Sequence, residues 1–255
     1  KIMNHFSLSP SFNYVNRFYP SQQNYTFNEA TNSVDVDTVN GFYMVQNFSA
    51  SANLSTKVYG MFNYKKGLIK AIRHVMTPSV QLGFTPDFGN ESWGYYQNVQ
   101  TDTSGTNRSF SRYAGYLYSG PNQGSNGNLT FGLLNVLEGK ARSEKDSTGE
   151  KKFKILDRLN FSTTYLLNKE EFAWNPLSVA AATAVFKNKL NLTYQGSFDF
   201  YGRDTTMARV NRSALEVNNK LLWNTRNNFS AGITLKGKAE QKREKYLKQK
   251  IYSLL

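Results

Sequence analysis

An alternation of apolar and polar residues runs through most of the chain, and it limits the possible folds more than any other feature. From residue 48 to residue 62 the even positions are mainly apolar, and the odd positions are polar until Tyr59 and Met61. Successive side chains of a β-strand point to opposite faces, so this period of two predicts strands with one apolar and one polar face. The run predicts one unbroken strand of about fifteen residues, longer than the usual five or six.

The same alternation recurs in further segments along the chain. They lie at residues 6–14, 76–85, 159–167, 177–185, 190–199 and 229–236. We expect about ten to twelve strands, and a tilted strand of about 9–11 residues crosses a membrane. The polar positions are mostly Ser, Thr, Asn and Gln, which suit a wet lumen, whereas a soluble sandwich would carry charged outer faces on shorter strands. The pattern therefore predicts an all-β fold, a transmembrane antiparallel β-barrel.

The connections between these segments are expected to alternate between short and long, as in outer-membrane barrels. Short turns are predicted at residues 186–189 and 224–227, and long loops at residues 87–112, 141–157 and 201–212. Strands and loops account for residues 1–236, whereas residues 237–255 form a charged segment, read as a loop or tail.

Composition excludes several classes of function. The chain has no cysteine and two histidines, so thiol chemistry and histidine-rich metal sites are excluded. It contains 31 Lys and Arg against 18 Asp and Glu, a net charge of +13. Such a balance either solvates the loops or favours an acidic partner such as nucleic acid, anionic lipid or a phosphorylated glycolipid.

Two further expectations concern membrane-spanning helices and the start of the chain. No run of about 18 apolar residues is present, so no transmembrane helix is expected. The chain opens on Lys1 without a signal peptide, which indicates a processed or truncated end.

No catalytic constellation stands out. His74 is the one imidazole within a strand region, and it is expected to pack or to hydrogen-bond in the lumen. Asp35 and Asp37 share one strand face, a weak calcium pattern, whereas Glu170 and Glu171 are adjacent and point apart. We therefore predict no enzyme activity, no metal site and no cofactor.

Two prolines mark the strand that contains His74. Pro78 lies inside the alternating segment and Pro86 ends it. Because proline cannot donate a ladder hydrogen bond, an interior proline predicts weakened pairing in the barrel wall or a harmless kink.

The segment Ile72–Val80, with its Arg73-His74 and Pro78, is followed by Phe84–Phe88, which contains Pro86. Together they resemble the Arg-His-x-x-x-Pro stretch in the barrel of the LptD family, the lipopolysaccharide-assembly or organic solvent tolerance proteins, in a form similar to those of the Bacteroidota. Further similarities follow in order at Phe131–Leu133, Leu137–Glu138, Lys145–Gly149, Lys154–Asp157, Leu159–Thr163 and Trp174–Val179. The resemblance covers about residues 65–200, and we expect it to extend over the whole chain.

The resemblance implies part of a large barrel of about twenty-six strands in the cell outer membrane. Such a barrel works with a plug lipoprotein, LptE, and with the periplasmic Lpt bridge components. It moves lipopolysaccharide or lipooligosaccharide into the outer-membrane lipid, and nucleic acid is not expected as a partner. In this reading Arg73, His74, Pro78 and Pro86 are motif residues with a structural or lumen role. Disulfides of the enterobacterial members have no counterpart here, because cysteine is absent.

Three alternatives remain open at this point. A passive porin or nutrient channel would share the alternation, and opposed charge rings would line its lumen. An outer-membrane hydrolase would need a Ser or Asp beside His74 or His5. A β adhesin would bury its apolar faces against a second sheet.

Overall fold

The computed structural model describes residues 5–142, 150–186 and 189–234. Within these ranges nearly every element is a β-strand, and the exceptions are the 3-10 helix Glu91–Trp93 and the α-helix α1, Ala214–Asn218. The predicted all-β fold is therefore confirmed.

Helices of membrane-spanning length and apolarity are not found in the described ranges.

The strands are long at the start of the chain and shorter near its end. In chain order they are β1 (Phe6–Asn28), β2 (Ser33–Thr56), β3 (Val58–Asn63), β4 (Ile69–Thr85), β5 (Tyr96–Gln100), β6 (Asn107–Ser111), β7 (Asn126–Arg142), β8 (Glu150–Leu166), β9 (Leu177–Val185), β10 (Leu190–Asp199), β11 (Tyr201–Arg203), β12 (Arg209–Ser213) and β13 (Trp223–Ile233). With 23 and 24 residues, β1 and β2 are about twice the length that a membrane crossing needs.

Nine strands form one sheet, in which β1, β2, β4, β7, β8, β9, β10 and β13 follow one another and β3 pairs with β4. The pairs β5–β6 and β11–β12 are separate two-stranded hairpins. Among the described residues, β1 and β13 stand at the two ends of this order and do not pair with each other. The sheet of the described ranges is therefore open, and closure into a barrel stays a prediction.

The predicted unbroken strand at residues 48–62 is wrong at one position. The segment divides at Lys57, with β2 before it and β3 after it, although both keep the same register against β4. In that register Thr56 would stand opposite Pro78, one of the two residues between the paired positions Met76 and Ser79. Because proline has no N–H to donate, the ladder is interrupted there.

Two predicted connections are also wrong. The turn at residues 224–227 lies inside β13, where Asn224 and Asn227 pair with residues of β10. The long loop at residues 141–157 is mostly strand, because β7 runs to Arg142 and β8 begins at Glu150. In both places a neighbouring strand supplies the hydrogen bonds, which outweighs a local sequence typical of turns.

Several predictions concern residues outside the described ranges. They are the middle of the turn at residues 186–189, the motif segment within Lys145–Gly149, and the charged segment at residues 237–255. The boundary near residue 237 therefore stays a prediction.

The chain divides into two compact units. The first unit consists of Lys1–Thr56, Ser79–Phe131 and Thr164–Asn175, and the second of Lys57–Pro78, Gly132–Thr163 and Pro176–Leu255. The buried core of the first unit is aromatic and lies where the long connection after β4 meets β1 and β2. It contains Tyr19, Val45, Phe88, Tyr95 and Tyr113.

Candidate transport surface

The first unit has one apolar and one polar sheet face, as the alternation predicts. Paired residues of β1, β2 and β4 form apolar rows, and Phe12 is 67% exposed and Phe84 52% exposed. The rows are Leu8, Leu54 and Val80; Pro10, Ala52 and Leu82; Phe12, Ala50 and Phe84. A contiguous apolar surface of this kind fits an apolar surrounding such as lipid.

The opposite face of the first unit is polar and uncharged in the same region. Its rows are Ser7, Ser55 and Ser79; Ser9, Asn53 and Gln81; Ser11, Ser51 and Gly83. Hydroxyl and amide groups can hydrogen-bond to water or to a polar cargo without the desolvation cost of a charge. This face can therefore line a wet passage.

The second unit repeats the division on β9, β10 and β13. One face has the rows Ala181, Tyr194 and Phe229; Thr183, Leu192 and Ala231; Val185, Leu190 and Ile233. The other face has the rows Ala180, Gln195 and Asn228; Ala182, Thr193 and Ser230; Ala184, Asn191 and Gly232. Phe229 and Ile233 are 67% and 71% exposed, so this apolar face is also uncovered in the described structure.

The structure places Arg73 and His74 on opposite faces of β4, because they are consecutive residues of one strand. His74 stands opposite Gly60 of β3 and shares its face with Ile72 and Met76. Its Nε2 atom lies 3.0 Å from Oδ1 of the buried Asn135 on β7. The imidazole of His74 thus forms a hydrogen bond with a residue of the neighbouring strand β7. A role for His74 in the lumen stays a prediction.

The two prolines act on the pairing of β4 and on its end. Pro78 lies at the interruption described above, and Pro86 directly follows Thr85, the last residue of the strand. Beyond it, Oδ1 of Asp87 accepts hydrogen bonds from the backbone N–H groups of Gly89, at 2.8 Å, and Gly124, at 2.6 Å. Pro86 and Asp87 therefore begin the long connection at residues 86–125.

Arg73 lines a groove on its own face of the second unit, which we call the basic groove. Its volume is about 480 Å³, and its lining residues are Met61, Ala71, Arg73, Glu138, Gly139, Lys140, Lys152, Phe153 and Lys154. The Arg73 guanidinium lies 5.1 Å from the centre of the Tyr59 ring. Its Nη1 atom is 3.9 Å from Glu138 Oε2, a long contact between exposed side chains. Four cationic side chains and one carboxylate thus line the groove.

Two other carboxylates hold lysines at the rim of the basic groove. Glu150 pairs with Lys140, at 3.0 Å, and with Lys70. Asp157 Oδ1 lies 2.9 Å from the ammonium group of Lys154. In the described part of the chain no ion pair involves Lys152, so Lys152 and Arg73 are the cations that an anionic ligand reaches at the lowest cost.

The sequence pattern singled out Arg73, but it missed the groove around it. Glu138, Lys140, Lys152 and Lys154 come from two later strands, and strand register brings them beside Arg73. Lys152 and Lys154 lie in the predicted loop at residues 141–157, so the alternation gave no signal for the face on which they lie. The sequence analysis also missed Asn135. Its position among the leucines of β7 does not indicate that it pairs with His74 on another strand.

Metal binding was not expected, and the described ranges contain no group of three or more His, Asp or Glu that could hold an ion. Asp35 instead accepts a hydrogen bond from Asn28 Nδ2 at 2.9 Å, and Asp37 accepts one from the backbone N–H of Thr38.

Comparison with known proteins identifies the family. A family model described as LptD protein matches residues 1–201 of the chain. Searches of curated proteins and of solved structures give no significant match. The matched residues include the first eight strands of the large sheet in chain order, from β1 to β10, and the whole Arg73–Pro86 motif region. Because the model matches more than half of the chain, the protein belongs to the LptD family.

Proposed function

We propose that this chain forms part of the wall of an outer-membrane barrel that exports lipopolysaccharide or lipooligosaccharide to the outer leaflet. The LptD family is one of lipopolysaccharide transport in the outer membrane and not of enzymes. The family match carries the proposal, and the two-faced antiparallel sheet supports it. The match favours export over the passive-porin alternative.

The two sheet faces suit this role for a physical reason. Exposed rows such as Leu8, Leu54 and Val80 would remove apolar surface from water by contacting lipid, at about 25 cal/mol per Å² of surface. The opposite Ser, Thr, Asn and Gln rows would face the passage. Moving a lipid through a barrel wall changes no covalent bond, so the barrel needs no catalytic residues.

The basic groove would contact the phosphate groups of the exported glycolipid. Arg73 and Lys152 supply charge, and an arginine can bind a phosphate through two parallel hydrogen bonds. Met61 and Ala71 add apolar lining beside them. A groove with both characters fits a molecule that has phosphates next to acyl chains.

The finer parts of the proposal concern partners and size. We expect a complete barrel of about twenty-six strands of the Bacteroidota form, integral to the outer membrane. An LptE-like lipoprotein would plug its lumen, and periplasmic Lpt bridge components would deliver the glycolipid. Neutral polar rows fit contacts with such a plug, because buried amides and hydroxyls must find partners.

A pull-down of the full-length protein from detergent-solubilised outer membrane tests these partners. Mass spectrometry should detect a lipoprotein of the LptE type together with lipopolysaccharide or lipooligosaccharide. Recovery of the barrel alone, with ion conductance in a planar bilayer, would instead support the porin.

A photocrosslinking amino acid at position 152 tests the groove in growing cells. It should form a covalent adduct with lipopolysaccharide, whereas the same amino acid at position 169, in the connection after β8, should not. Lys152→Glu should also reduce lipopolysaccharide at the cell surface more than the control Lys169→Glu. Equal adducts at both positions would remove the groove from the proposed path.

A further inference from the structure

A second cavity, in the first unit, differs from the basic groove in the charge of its lining. Its volume is about 340 Å³, and no lining residue is charged. Amide and hydroxyl side chains dominate the lining, and they include Asn13, Asn47, Ser49, Asn122, Gln123 and Asn126. Small-molecule sites commonly occupy about 300–1,000 Å³, so the cavity has room for a small ligand. We call it the amide cavity.

Two phenylalanines of the first unit are also among the lining residues of the amide cavity. Phe48 and Phe88 line it with their ring centres 5.7 Å apart, and Trp93 lies 5.2 Å from Phe88. Phe88 is 2% exposed and belongs to the aromatic core of the first unit, so its position is fixed. Some apolar lining beside many neutral hydrogen-bonding groups is complementary to a ligand with both C–H and O–H groups.

Asn47 carries an unused hydrogen-bonding group at this cavity. Its side-chain oxygen is buried and accepts no hydrogen bond from the described residues. Buried polar atoms are nearly always paired, so an exception points to a missing partner. A hydroxyl donor bound in the cavity would supply that partner after a turn of the amide.

The charge near the cavity argues against an anionic ligand. Asp87 lies next to Phe88, and its carboxylate binds the N–H of Gly124, which lines the cavity. A phosphate or an acidic sugar placed here would meet this negative charge and no cation among the lining residues. The lining therefore favours a neutral ligand over an anionic one.

We propose that the amide cavity binds a neutral sugar ring. The inference rests on the proposed function, since it assigns the cavity to the uncharged saccharide part of the exported glycolipid. Pairs of adjacent ring hydroxyls would hydrogen-bond to the amide groups, and C–H groups of the ring would contact the apolar part of the lining.

The test is a titration of the full-length protein, or of its complex with any co-purified lipoprotein, in a detergent without a sugar headgroup. One probe is the dephosphorylated oligosaccharide released from the organism's own lipopolysaccharide. A second probe, a mixture of methyl glycosides of glucose, galactose and mannose, tests the cavity without reference to export. Tryptophan fluorescence follows binding, because Trp93 adjoins the cavity wall.

Wild type should give a saturable signal, and Asn47→Ala should weaken binding about fivefold, the effect of one lost hydrogen bond. Asn53→Ala is the matched control, since Asn53 lies on the same strand and face but does not line the cavity. Exposed Asn122→Ala provides a second cavity variant if Asn47→Ala does not fold.

Two results would overturn the sugar site: no saturable signal in wild type with either probe, or equal affinities in the cavity variants and Asn53→Ala. Failure of export is a separate result. It would appear as unchanged surface lipopolysaccharide on depletion of the protein, while the methyl glycosides still bind.

Discussion

The connection after β4 and the connection after β10 are both long, but different forces hold them in place. Residues 86–125 of the first unit surround Phe88, whose ring meets Phe48, Trp93 and Tyr95. Residues 200–222 of the second unit are tied instead to Asp199, which is 2% exposed. Arg209 donates to both oxygens of that carboxylate, at 2.8 and 3.0 Å, and Arg203 donates at 3.1 Å.

The two connections nevertheless share one local device. Each has a hairpin whose turn begins with an aspartate, Asp102 in the first and Asp204 in the second. In each turn the Oδ1 atom of the aspartate accepts hydrogen bonds from the backbone N–H groups of the residues two and four positions later. A turn is thus set by local sequence, whereas the anchoring of the whole connection depends on distant residues.

The largest effect is expected from Phe88→Ala. Truncation of a fully buried phenylalanine costs about 3–5 kcal/mol, because it removes apolar contacts and leaves a cavity. Hydrogen–deuterium exchange of the reconstituted protein should show lost protection across residues 86–125. Leu117→Ala is the control, since Leu117 is 91% exposed on the same connection. Equal exchange in both variants would mean that the aromatic core does not hold this region.

The second largest effect is expected from Asp199→Asn. It should destabilise the connection at residues 200–222 by about 2 kcal/mol, because hydrogen bonds to a charged group contribute about 1.5–3 kcal/mol. The neutral amide leaves two guanidinium groups without a counter-charge. Trypsin should then cut more rapidly after Arg203 and Arg209, and exchange should rise at residues 200–222. Glu216→Gln, which breaks the exposed pair with Arg212, should change neither measurement. Unchanged cleavage in Asp199→Asn would show that the ionic cluster is dispensable.

Met207→Gly should stabilise the second turn by about 0.5–1 kcal/mol. Met207 has a φ of 65°, where glycine is favoured, and the first turn has Gly105 with a φ of 84° at the matching position. The reciprocal Gly105→Ala should destabilise the first turn. Hydrogen exchange at the backbone N–H groups of Thr206 and Ala208 measures the gain in stability. Faster exchange in Met207→Gly would contradict the argument that Met207 is strained.

The smallest effect is expected on lowering the pH, through protonation of Asp102. Hydrogen bonds from the side chains of Ser104 and Thr106 lower the pKa of Asp102 to about 2. A lowered pKa means that the stabilising contribution is present above the ordinary value of 3.8 and is lost as the pH falls toward 2. Amide NMR signals of Ser104 and Thr106 should therefore titrate near pH 2 in labelled protein. Asp102→Asn should lack this transition, and a midpoint near 4 would contradict the assigned bonds.

The alternation of apolar and polar residues predicted much of the sheet correctly. The segment 177–185 has the bounds of β9, and the segment 190–199 has those of β10. Failures occurred where a partner strand decided the outcome. Asn224 and Asn227 are typical of a turn, but pairing with β10 makes them strand residues. Lys57 continues the alternation, but the lack of a donor at Pro78 ends the ladder beside it.

The candidate sites show the same division. Arg73 and His74 were visible as a motif, whereas Asn135, Lys152 and Asn47 were not. Sequence spacing gives the face on which a residue lies, but it does not give the strand that stands beside it. Register, which is set by pairing along whole strands, brings Arg73 to Glu138 and His74 to Asn135.

By itself, the sequence determined the strand class, the two faces and the family resemblance, because each is written in the period and order of neighbouring residues. Tertiary structure alone decided where the ladder breaks, how the two long connections are anchored, and which groups line the basic groove and the amide cavity. These features depend on contacts between residues that are distant in the chain, such as Asp87 with Gly124, and local propensity carries no record of them.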